Sequence, residues 1–144
     1  MSGDIHLSQI NFVVGDMDAS AAFYSRLGLD LTDGGMPEWR PHHRSTETSG
    51  ADVDLDSAAF AAEWDAGWPG GSGIVVTFRV PSRDDVDRLF DELTLAGHPA
   101  QQPPYDAFWG ARYAVVADPD GNAVGLMSPA DSTRRSQVAP PPVK

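Results

Sequence analysis

The 144-residue chain contains no cysteine. Disulfides, thiolate nucleophiles and cysteine-ligated metals are therefore excluded, and the absence fits a reducing cytoplasmic compartment. Basic residues are scarce: 10 Lys and Arg stand against 21 Asp and Glu, a net charge of −11. No Lys or Arg cluster is present to neutralise a phosphate backbone, so nucleic acid is not an expected partner. No apolar run approaches the length of a membrane span. The opening MSGDIHLSQI also lacks the basic and apolar regions of a signal peptide. No glycine run leads from a strand into a helix as a phosphate cradle would, and no Ser/His/Asp hydrolase pattern is visible. A cytoplasmic protein that binds neither nucleic acid nor membrane is expected.

What is present is ordinary globular material, 41% hydrophobic and 22% charged, enough for one domain with a real core. It is organised as a repeat. Ile10, Phe12 and Val14 alternate with Gln9, Asn11 and Val13, the mark of a strand with one helix-facing side. Asp16 or Asp18 can cap a following helix carrying Phe23, Tyr24 and Leu27, which Gly28 stops. The same order returns with Val76, Phe78 and Val80, a Ser82 cap, Leu89, Phe90 and Leu93, and Gly97. The equivalent apolar residues are offset by 66 throughout. After each helix come further strand-like pieces: LDLT, a stretch around EWRPHHRST and ADVDLDS, then a Pro-rich approach, ARYAVVA and NAVGLMS. The last pieces align at an offset of 71, Val53 with Val124 and Leu55 with Leu126. Each unit reads β-α-β-β-β, which implies duplication. One domain is expected over 1–129, with modules at about 5–56 and 73–129 and a linker at 57–72 whose first part suits a short helix. The polar, Pro-rich residues 130–144 are expected to be a disordered tail.

The acidic segment DPDGN, Asp118–Asn122, separates two apolar runs. A calcium loop needs more oxygen ligands and a downstream Glu, and NAVGLMS offers none. A hairpin turn is the reading that fits.

The stretches QINFVVGDMDASAAFYSRLGL, FWGARYAVVADPDGN and NAVGLMSP resemble the vicinal oxygen chelate superfamily, which includes glyoxalase I, bleomycin-resistance proteins and extradiol dioxygenases. The resemblance covers about residues 5–129 and implies an α+β fold: two βαβββ modules forming a cupped sheet around a cavity, commonly in a homodimer. Metal-using relatives carry a ligand on the first and last strand of each module. Those positions here are Gln9, Asp54, Val75 and Gly125. Two of the four have no donor, so the ligand set is incomplete. No metal or other cofactor is expected, unless His42 or His43 joins a nonstandard site. Adjacent strand residues point to opposite faces, so at most one of the two histidines can enter the cavity.

Period-two alternation then places Gln9, Asn11, Asp54, Thr77 and Arg79 on the cavity side, with Arg112 also facing inward. The aromatic loop PPYDAFWG supplies Tyr105, Phe108 and Trp109 as a wall. Asp52, Asp54 and Asp56 share one strand face, read either as a solvated edge or as an acidic wall suited to a cationic or hydroxyl-rich ligand. Two functions follow. One is a metal-independent small-molecule binder of the bleomycin-resistance type. The other is a glyoxalase-type lyase, isomerase or dioxygenase, with a nonstandard divalent-metal site or with Asp54 or His42 as base.

Overall fold

The computed structural model describes residues 5–31 and 37–142. Its strands are β1 (His6–Val14), β2 (His43–Thr46), β3 (Asp52–Ser57), β4 (Gly73–Arg79), β5 (Ala100–Asp106), β6 (Arg112–Ala117) and β7 (Ala123–Met127). Its helices are α1 (Met17–Ser25), α2 (Ala58–Trp64) and α3 (Arg83–Leu95). All strands lie in one open mixed sheet, ordered β2-β3-β1-β4-β7-β6-β5. The fold is α+β, as the repeat implies.

Local chemistry sets the elements. The Asp16 carboxylate accepts from the Ala19 amide at 3.0 Å and starts α1; Ser82 does the same for α3 through Asp85. Both helices end on a glycine at positive φ, Gly28 at 97° and Gly97 at 105°, a backbone conformation that disfavours side chains. In the hairpin between β6 and β7, the Asp118 carboxylate accepts from the amides of Asp120 and Asn122 and from the Asn122 side chain. These bonds hold its pKa low, and they commit the acidic segment to a turn.

The duplication is visible in the strand register. β1 runs parallel to β3 with Asn11 opposite Asp54, and β4 runs parallel to β7 with Thr77 opposite Gly125. At the centre β1 and β4 are antiparallel, with Ile10 facing Val76. Those two residues are repeat equivalents, so a local two-fold axis passes between them. The first module departs from its expectation at LDLT. Leu29–Leu31 form no strand, and Thr32 lies outside the described residues. The Leu29 amide turns back to the Tyr24 carbonyl, and Leu31 is buried under α1 with Met17 and Ala21.

Helices α1 and α3 cover one face of the sheet. The former packs on Val53 and Leu55, the latter on Ala114, Val116 and Leu126. The other face receives α2, which comes from the expected linker. Phe60, Ala61 and Trp64 of α2 pack against Val13, Val75, Tyr113, Val115 and Ala123. This helix fills one end of that face, over Val13, Val75 and Ala123, and leaves the other end, beside Gln9, Asn11, Arg79 and Met127, open.

Candidate functional site

The open end is a cavity of about 400 Å³. Of the residues placed there by alternation and loop position, Gln9, Asn11, Asp54, Arg79, Phe108 and Trp109 line it. Two others lie outside it. Thr77 is fully buried beneath the floor. Tyr105 packs against the core with its hydroxyl donating to the Trp64 carbonyl at 3.1 Å. Arg112 does not face inward either. It pairs with Asp87 of α3 and with Asp106, because the β6 register turns its neighbour Tyr113 to the cavity, across from Met127.

The lining also takes in Asp56 of the acidic run and the loop-side aromatics Trp39 and Trp64, while Phe60, Tyr113 and Met127 were not singled out in the sequence. The rings contact one another. Trp39 stacks on Phe108 at 5.9 Å, and Trp109 meets Tyr113 edge-on at 5.5 Å. Such pairs hold an aromatic wall in place.

At one end the wall meets a polar cluster. His43 Nδ1 is 2.6 Å from Asp56 Oδ1. The Asn11 amide donates to Asp56 Oδ2 at 2.7 Å, and Asn11 accepts from Gln9 Nε2 at 2.9 Å. With Nδ1 held, Nε2 is the His43 nitrogen left for a ligand. The acidic run of β3 is therefore no solvated edge. The strand lies between β2 and β1, so Asp54 and Asp56 are buried in the cavity wall. His42 points elsewhere, its Nδ1 2.7 Å from the Ser57 hydroxyl that also caps α2. Hence His43, not His42, belongs to the site.

Burial raises the pKa of Asp54, the adjacent Asp56 charge adds to this, and His43 opposes it; the result is about 7. Burial alone would lower His43, but the hydrogen bond and charge of Asp56, with the charge of Asp54, raise it above its usual value. Asp54 is thus poised for proton exchange near neutrality.

The metal arrangement that the resemblance implies does not fit. Val75 is fully buried against α2. A Cβ on Gly125 would lie 2.7 Å from both the Tyr113 hydroxyl and the Thr77 hydroxyl, so Tyr113 occupies the space a ligand would need. A different donor set does exist: His43, Asp54 and Asp56 offer atoms within 4.8 Å of one another.

The chain past β7 also reaches the site. Residues 130–136, assigned to a disordered tail by composition, are held as a strap. The Asp131 amide donates to the Gly110 carbonyl and the Ser136 amide to the Phe108 carbonyl. A short 3₁₀ turn, Ser132–Arg134, is capped by Asp131. Ala130 and Arg135 of this strap line the cavity. The aromatic loop reads as polar-tail contact only in three dimensions, since nothing in PADSTRR marks it as a partner of FWG.

A family model described as the Glyoxalase/Bleomycin resistance protein/Dioxygenase superfamily matches residues 6–126. No curated protein matches the chain in sequence. Among solved structures, it is similar to a glyoxalase/bleomycin resistance protein/dioxygenase superfamily member from Vibrio splendidus 12B01, with 16% identity, a TM-score of 0.59, and 87% of this chain and 99% of that one covered. It is similar to methylmalonyl-CoA epimerase from Mycobacterium tuberculosis, with 20% identity, a TM-score of 0.56, and coverage of 88% and 89%. The Mn(II)-bound glyoxalase from Novosphingobium aromaticivorans also aligns, with 20% identity, a TM-score of 0.59, and 96% of this chain covered against 42% of that one. At these identities the likeness is one of fold.

Proposed function

The chain belongs to the glyoxalase/bleomycin resistance protein/dioxygenase superfamily, and from that premise we propose that it binds a small planar organic molecule without metal. The observation that carries this reading is the aromatic cavity with one polar end. Trp39, Phe108 and Trp109 offer flat apolar surface, and His43, Asp54 and Asn11 offer directed hydrogen bonds. Sequestration of a drug or toxin is the role that accords with it. Replacing Trp109 with Ala should weaken binding by roughly 1–3 kcal/mol through lost apolar burial and leave folding intact. A small-molecule screen read by tryptophan fluorescence supplies the ligand, and unchanged affinity in the variant would count against the reading. The protein is proposed to act as a homodimer.

A second reading rests on the His43/Asp54/Asp56 donor set. In it a divalent ion held there would act as a Lewis acid, and the protein would be a lyase, isomerase or dioxygenase of glyoxalase type. Elemental analysis after incubation with nickel, manganese or zinc separates the two. Stoichiometric metal lost in Asp56→Asn favours the enzyme; no retained metal favours the binder.

A further inference from the structure

We propose that the cavity selects an organic anion, a carboxylate or phosphate ester whose charged group is gripped by Arg79 and Arg135 while its planar body lies against Trp109. This rests on the aromatic-cavity reading above and names the ligand class for it.

The argument begins with arginine pairing. The acids outnumber the bases by 21 to 10, so a cation here has many potential partners. Arg44 takes Asp18, Arg83 takes Asp106, Arg88 takes Asp85, Arg112 takes Asp87 and Asp106, and Arg134 takes Asp131. Arg79 and Arg135 have no carboxylate partner among the described residues, and both line the cavity. Arg79 Nε is moreover buried with no hydrogen-bond acceptor. A buried guanidinium donor without an acceptor is costly to the fold, and a bidentate anion is the group its geometry suits.

The placement is built. Arg79 ends β4 beside Met127 of β7, four residues along the strand from Val75, the partner of Asn11. At the strand rise this sets its backbone roughly 13 Å along β4 from that of Val75. Arg135 is delivered by the strap, and its Cγ packs over Gly110, where a Cβ would meet it at 3.1 Å. The Gly110 carbonyl is bonded in turn by Asp131 and by Arg83.

The acids of the cavity do not cancel this cation pair. Asp56 is occupied by His43 and Asn11. Asp54 carries its proton to far higher pH than an ordinary carboxyl, for burial first and the Asp56 charge second. Below about pH 7 the cavity therefore holds two arginines with no carboxylate paired to them, although the molecule is strongly anionic.

The test titrates the full chain by calorimetry at pH 6, below the Asp54 pKa of about 7, with four probes of one shape: 1-naphthoate, 1-naphthyl phosphate, 1-naphthamide and 1-naphthylmethylammonium. At least one anion should bind ten-fold or more tighter than the amide, and whichever anion is tighter identifies the acid group. Arg135→Gln, at an exposed position, and Arg79→Gln should each cut that preference below three-fold, by weakening anion binding more than amide binding. Equal binding of amide and anions, or tightest binding of the ammonium, overturns the inference but leaves the aromatic cavity standing. A preference retained in Arg135→Gln overturns it as well. Failure of all four probes to bind overturns the cavity reading and this inference together.

Discussion

At Gly125 a single absent side chain answers why a family ligand position is empty of donors. The Tyr113 ring and hydroxyl fill the place where that side chain would project, and Tyr113 is itself buried among Trp64, Tyr105 and Trp109. Gly125→Ala should therefore destabilise the fold by about 1–3 kcal/mol, the usual cost of overpacking a rigid core. A shift in the urea midpoint at constant m-value is the measurement. Asp54 carries the second prediction at this scale. Its folded pKa of about 7 lies above the usual 3.8, so the folded state binds its proton more tightly. The associated stability is complete at low pH and is lost as pH rises between those two values, on the order of 2–4 kcal/mol in total. His43, raised for its own reasons, loses its contribution in the same direction as pH climbs through its folded pKa. Asp54→Asn should flatten most of the decline seen in denaturant melts from pH 4 to 8. An unchanged slope would place the carboxyl in water.

Among the elements, α2 decides which end of the sheet face is a site. It is seven residues long, capped by Ser57, and it carries Phe60, Ala61 and Trp64 onto one end of that face, over Val13, Val75 and Ala123. Trp64 touches both the closed core and the cavity. Trp64→Ala should cost roughly 3–5 kcal/mol, the range for removing a buried aromatic ring. It should also enlarge the cavity toward Val75, and a bulkier ligand should then regain affinity that the wild type denies it. Equal stability of variant and wild type would mean that α2 is not the plug of that end. The strap after β7 is the other element whose role is positional: its backbone bonds to residues 108–110 close one side of the cavity.

The whole molecule is a duplication made asymmetric. Its sheet edges are blunted, β2 by its four-residue length and β5 by Pro103 and Pro104, which disfavours edge-to-edge growth. Its exposed apolar residues include Leu7 and Ile74 on the central strands, Phe23 on α1 and Leu27 in the turn after it. Such surface is the material of a subunit interface, so light scattering should report twice the 15.4 kDa chain mass at micromolar concentration. Ile74→Asp should shift it to the single-chain mass. A wild type at that lower mass would sink the dimer.

Most of the elements and their repetition are legible in local sequence, the LDLT segment excepted. Alternation of Ile10, Phe12 and Val14, the caps at Asp16 and Ser82, and the stops at Gly28 and Gly97 are local signals, readable because each acts within a few residues of chain. The same is true of Gln9, Asn11, Asp54 and Arg79, whose facing follows from the period of a strand. Tertiary structure alone decided the rest. Whether Asp56 meets water or His43 depends on β3 lying inside the sheet; whether α2 is a linker or a plug depends on a face formed by both modules. Arg135 becomes part of the site only when residues 108–110 bind the strap that carries it. These are contacts between residues far apart in sequence, and their energies come from burial and pairing that no local pattern encodes.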